Sequence, residues 1–256
     1  MRIFLFWLMV VFSIASCSNN KKNSSETDQS VADPNHTTAP VPQSTAALQA
    51  LLKPFDPLLG SFVGPFGRNK ITLLIIKVTK DSVVGRTIVG GNDRPFYGTY
   101  YKEGGSYFFN AKEPGDHKDD GEFNFVFDEA HPDILKGSWK PFAKGREGKE
   151  YELQRKAFKY NPDAGYYPQA SQRLLKPEDV ENEMKEDLEF MRNEIFARHG
   201  YCFNRYDMRQ QFEMEDWYVP NTVDIKGFLT DIEKKNIALI KRYEKYADEY
   251  GDEYGR

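Results

Sequence analysis

Arginine, histidine and aromatic side chains gather near the C-terminal end, where Arg192, Arg198 and His199 precede Trp217 and Tyr218. Guanidinium groups beside aromatic faces are what recognition of carboxylates or sugars uses. The other chemistry-bearing residues are scattered. Four histidines stand far apart: His36, His117, His131 and His199. A metal site needs converging ligands, and none is expected. Asp116, His117, Asp119, Asp120 and Glu122 crowd one loop, but their spacing is not that of a calcium loop, and a solvated hairpin tip explains them. No nucleophile elbow, phosphate loop or zinc-protease helix occurs, and Gly85, Gly90 and Gly91 precede no helix. His199 and Cys202 flank Gly200 without a third group to orient them. Asp133, Glu147 and Glu150 are acids that sequence alone cannot bring together as a glycosidase pair. No catalytic residue and no cofactor is expected.

Two cysteines occur. Cys17 follows Arg2 and the apolar run 3–14, which is too short for a bilayer span of ~20 residues. Ile14-Ala15-Ser16-Cys17 resembles the bacterial lipobox. That resemblance implies cleavage of residues 1–16 and acylation of Cys17, giving a palmitate-type membrane anchor. Two or three acyl chains, at ~0.8 kcal/mol per buried methylene, hold a protein on a membrane almost permanently. Ser18 in place of Asp points to the outer membrane. The run Ser18-Asn19-Asn20-Lys21-Lys22 lacks the acidic cluster of some surface-export signals, so the periplasmic side is expected, with surface exposure left open. With Cys17 acylated, Cys202 has no intramolecular partner and reads as a small buried hydrophobe between Tyr201 and Phe203.

The net charge is −4, with 35 basic and 39 acidic side chains. Losing residues 1–16 removes Arg2 and no acid, leaving −5. No basic stripe suggests a nucleic-acid partner. Residues 17–50 hold Ser, Thr, Asn, Pro and scattered charge, too little apolar surface to offset ordering entropy, and read as a disordered tether.

Aromatics make up 14% of the chain, which suits a small β-domain filled by rings. Residues 51–158 read as eight strands: 58–63, 69–78, 82–89, 94–102, 106–111, 122–128, 134–139 and 150–155. Phe123, Phe125 and Phe127 alternate with Glu122, Asn124, Val126 and Asp128, which is strand periodicity. The stretch 69–78 looks buried on both faces. Short strands joined by tight turns predict an antiparallel meander curled into a barrel or half-barrel. Leu59-Gly60-Ser61-Phe62 is similar to the first strand of lipocalin-like barrels.

Residues 159–177 read as a linker or strap. From Glu178 the period turns helical: Val180, Met184, Leu188, Met191 and Ile195 share one face, with Pro177 in the first turn and Gly200 as the stop. A short helix follows Asn204, ending near Met214. A last helix opens with a Thr230–Glu233 capping box and presents Ile232, Leu239, Ile240 and Tyr243. Residues 248–256 read as a frayed acidic tail.

The string Met191-Arg192-Asn193-Glu194-Ile195-Phe196-Ala197-Arg198-His199-Gly200-Tyr201, with Phe203, Phe212, Trp217-Tyr218 and Glu233-Lys234-Lys235-Asn236-Ile237, resembles the YARHG domain over 178–247. Phe196 replaces the name-giving tyrosine. The resemblance implies a small all-α module of exported bacterial proteins, suspected of binding the cell envelope, with no accepted catalytic residues. The expected fold is therefore α+β, a lipocalin-like barrel followed by a helical module. Two readings of the motif stay open. Arg192, Asn193, Arg198 and Asn236 could be polar staples; or Arg192, Arg198, His199, Trp217 and Tyr218 could form a surface for peptidoglycan or another envelope glycan. Two alternatives for the whole chain also stay open: a carrier of a small apolar ligand, and an envelope-polymer enzyme or inhibitor.

Overall fold

The computed structural model describes residues 57–115, 117 and 119–250. Cys17, the 17–50 segment and residues 251–256 lie outside them.

Eight strands form a closed antiparallel barrel: β1 (Gly60–Phe66), β2 (Asn69–Val78), β3 (Ser82–Val89), β4 (Asn92–Glu103), β5 (Ser106–Lys112), β6 (Gly121–Asp128), β7 (Ile134–Pro141) and β8 (Lys149–Arg155). Each strand pairs with the next, and β1 closes on β8 at Phe62–Arg155 and Val63–Gln154. Closure leaves no unpaired sheet edge. Alternation decides what fills it. Phe123, Phe125 and Phe127 point inward from β6 and are buried, as the period of two requires. They meet Phe62, Phe66, Phe96 and Phe109; the Phe109 and Phe125 rings stack at 4.7 Å.

The two-sided burial expected of β2 holds for only part of the strand. Ile71, Leu73 and Ile75 face the core, and Thr72 on the outer face is sealed beneath the helical module. Ile76, which alternation puts on the same outer face, lies at a register shift between Ile75 and Lys77 and is 53% exposed.

The helical module contains α1 (Gln169–Gln172), a 3₁₀ turn (Pro177–Asp179), α2 (Lys185–Arg198), α3 (Tyr206–Phe212) and α4 (Asp231–Tyr250). The helix expected from Glu178 begins seven residues later, at Lys185. The reason is local. The Asp179 carboxylate accepts the Lys176 backbone N–H and two Arg173 N–H groups, closing a separate turn. Val180 is still buried in the module core from that turn, whereas Met184 stands outside α2 as its N-cap and is exposed. The 159–177 stretch is no free linker either. Ala170 and Leu175 belong to the same core as Leu188, Met191, Ile195 and Ile240. α4 runs to Tyr250, three residues into the expected tail.

Barrel and module are joined by hydrogen bonds. Thr72 Oγ1 donates to Pro220 O at 2.5 Å, Lys70 Nζ to Glu215 O at 2.8 Å, and Arg86 Nη2 to Asn221 O at 3.0 Å. Cys202 lies in this joint, buried, with the Gly91 N–H donating to its Sγ at 3.2 Å. Burial pushes its thiol up to about 12, which leaves it an inert packing group. No helix among the described residues is long and apolar enough to cross a membrane.

Candidate functional site

The motif residues are held by α2 and its neighbours, and most point inward. Arg198, fully buried, reaches Glu194 one turn back at 2.5 Å, as their spacing allows, and donates to Ala164 O at 2.7 Å and Ser171 Oγ at 3.2 Å. Glu194 also accepts the Tyr166 and Tyr167 backbone N–H groups at 2.7 and 2.8 Å. Gly165 makes this approach possible: it has φ +89°, and a Cβ there would fall 2.1 Å from Glu194 Oε1.

His199 turns its ring into the module. Its Nε2 lies 2.8 Å from Glu233 Oε2, and its ring stacks on Tyr160 at 4.5 Å. Glu233 is the hub. Besides His199 it accepts Ser171 Oγ at 2.8 Å, Tyr160 OH at 3.1 Å and the Thr230 N–H at 2.9 Å, while its own N–H donates to Thr230 Oγ1. The capping box is thus present and doubles as the floor of a buried network. Burial alone raises the Glu233 carboxyl; the bonds from His199, Thr230 and Ser171 outweigh it and leave the group at about 2. A carboxylate ionised at neutral pH only accepts, so His199 Nε2 carries the hydrogen.

Ser171 and His199 both meet Glu233, but the serine hydroxyl donates to the carboxylate, not to the imidazole, and all three are buried. That is a bridge between helices, not a nucleophile–base pair. Asn236 works the same way. Its side chain accepts the Leu175 N–H and donates to Ala170 O and Arg173 O, tying the 170–175 strap to α4.

The five candidate binding residues therefore do not form one surface. Arg198, His199 and Tyr218 are internal, Tyr218 OH donating to Tyr201 O at 2.7 Å. Trp217 is half-buried with its ring edge against Phe212. Arg192 alone borders a groove, paired there with Glu244 at 2.6 Å. This groove holds about 560 Å³. Phe196, Tyr201, Phe203, Met208, Ile225 and Leu229 make its apolar walls. Arg192, Arg205, Lys226 and Lys241 ring it, against Glu189 and Asp224. Arg205 is held by Glu189 and Asp207. The Lys226 and Lys241 ammonium groups have no carboxylate partner among the described residues, although the Lys226 backbone N–H donates to Asp224 Oδ1 at 3.0 Å, and the two were not legible as a pair because α2, the 223–229 loop and α4 meet only in the fold. Phe196 faces this groove half-buried, so the hydroxyl that a tyrosine would carry is not part of the internal network.

Among the described residues no cluster of histidine, cysteine and carboxylate is arranged to hold a metal. In the loop between β5 and β6, Asp120 is not solvated: it is buried, pairs with Arg94 at 2.7 Å and accepts the His117 N–H.

The fold and site define a two-part α+β scaffold, a closed antiparallel barrel with a helical module whose polar motif is a structural clasp. Residues 165–245, about a third of the chain, match the YARHG domain family. That domain is typical of secreted and cell-envelope proteins. No curated protein and no solved structure matches the chain.

Proposed function

We propose that this is a non-catalytic cell-envelope lipoprotein, anchored through acylated Cys17 at the outer membrane and facing the periplasm, whose helical module holds an acidic envelope polymer such as peptidoglycan. The observation that carries the binding reading is the α2–α4 groove, where two lysines without carboxylate partners flank an aromatic wall. Aromatic faces suit sugar rings, and unpaired ammonium groups suit the carboxylates of wall peptides. The lipobox-like string ending at Cys17 and the envelope-typical domain support the location. The interleaved phenylalanines of the barrel weigh against an apolar ligand carried inside it.

The test is co-sedimentation of a soluble form starting at Ser18 with insoluble peptidoglycan. Wild-type protein is expected to sediment at low salt, and Lys226→Glu/Lys241→Glu to remain in solution. Equal sedimentation of both would refute the groove as the binding face. The anchor is tested separately by metabolic labelling with an alkyne palmitate, which should enter the native chain and not Cys17→Ser.

A further inference from the structure

A second cavity of about 600 Å³ opens where the barrel end meets α3. Its apolar floor is Phe66, Phe123 and Trp139, the last ring layer of the barrel core. Its rim carries four cations, Arg94, Arg146, Lys149 and Arg209, against Glu113, Asp119 and Glu147. Most of those charges are already committed. Arg94 pairs with the buried Asp120, and Arg146 with Asp119. Glu113 is turned into the protein, accepting Thr87 Oγ1 at 3.1 Å, the Gly121 N–H at 2.9 Å and Trp139 Nε1 at 3.5 Å.

Lys149, Arg209 and Glu147 remain, none with an ion-pair partner among the described residues, so the open charge of the rim is two cations against one carboxylate. The Lys149 ammonium stands 4.2 Å from the centre of the Phe66 ring and 5.1 Å from that of Trp139, a cation held over aromatic faces. Burial, with Arg146 nearby, holds it below the ordinary lysine value. A cation destabilised in this way is the group that gains most when an anion arrives. Arg209 enters from α3 with its Nη1 donating to the Asn204 carbonyl and a buried Nε that has no acceptor. The volume falls within the range of small-molecule sites.

We infer that this mouth cavity binds a compact organic anion, a carboxylate, sulfonate or phosphate ester, whose charge sits between Lys149 and Arg209 and whose flat apolar body lies on Phe66 and Trp139. The site is distinct from the α2–α4 groove: Lys149, Trp139 and Phe66 line this cavity and not the groove, with Asn204 bordering both.

The pair 1-anilinonaphthalene-8-sulfonate and N-phenyl-1-naphthylamine, equal in ring system and differing in the sulfonate, separates charge from apolar contact. The soluble form starting at Ser18 should bind the sulfonate about tenfold tighter than the neutral amine, as expected for one charge-assisted contact. Lys149→Met keeps the aliphatic stem on the rings and should lose about tenfold for the sulfonate while leaving the amine unchanged. Arg209→Gln should act in the same direction if Lys149→Met disturbs folding. Lys226→Glu/Lys241→Glu should bind the sulfonate as wild type, whatever its behaviour toward peptidoglycan. Equal affinity for the two probes would overturn the proposal. So would unchanged sulfonate binding in folded Lys149→Met or Arg209→Gln, or a loss confined to the Lys226/Lys241 variant.

Discussion

Glu233→Gln isolates the clasp of the helical module. The carboxylate is buried and held at about 2, against 4.5 in an ordinary glutamate. A group depressed on folding stabilises the folded state above its unfolded value and loses that contribution as pH falls toward the folded one. At ~1.4 kcal/mol per pH unit the ionised form contributes ~3 kcal/mol at pH 7 and about 1.4 kcal/mol at pH 3. Glutamine keeps the shape but not the charge, and replaces one acceptor by an amide that faces donors such as Thr230 N–H or His199 Nε2. Urea denaturation of wild type and variant at pH 7, 5, 4 and 3 reads the difference. The variant should be ~3 kcal/mol less stable at pH 7, and the gap should narrow by ~2 kcal/mol on reaching pH 3. A gap that stays constant over this range would refute the idea that Glu233 is an ionised hub.

Other outcomes follow from single features. Burial pushes Glu213, at the joint with β2, up to about 7, and the Lys70 N–H and Arg209 only partly offset it. A group raised on folding stabilises below its unfolded value and loses that contribution as pH climbs, so Glu213→Gln should gain about 1–3 kcal/mol over wild type at pH 8 and nothing at pH 4; thermal melts at both pH values check the sign. Phe125→Ala, at the centre of the barrel rings, should cost ~3–5 kcal/mol in chemical denaturation. Phe196→Tyr, restoring the motif tyrosine at a half-buried groove wall, should change stability by less than about 0.5 kcal/mol.

The barrel was readable because its signals are local. Alternating phenylalanines on β6 and glycine pairs between strands mark period and turn, and the eight strands lie within a few residues of where those marks put them. The Thr230–Glu233 box was equally local. The α2 start was misplaced because burial and helix are different things: Val180 keeps the spacing of the buried face from a 3₁₀ turn. The partners of the motif were not legible at all. Tyr160, Ser171 and the Ala164 carbonyl are 27 to 39 positions from Arg198 and His199, and carry no periodic mark. The two cavities were hidden for the same reason, since each is assembled from separate hairpins, loops and helices.

The joint between barrel and module divides its labour unequally. On the module side three acceptors are main-chain carbonyls, of Glu215, Pro220 and Asn221, which almost any side chains there would supply, and two are particular, the Glu213 carboxylate that takes the Lys70 N–H and the Cys202 sulfur that takes the Gly91 N–H; on the barrel side the side-chain donors are Lys70, Thr72 and Arg86. The plug is thus mostly general, and the side-chain half of the socket is written in three residues of two adjacent strands. Grafting those three onto another twisted sheet with matching spacing would carry over the side-chain half of the attachment, while Glu213 and Cys202 would need backbone N–H groups of the new host in the places of Lys70 and Gly91.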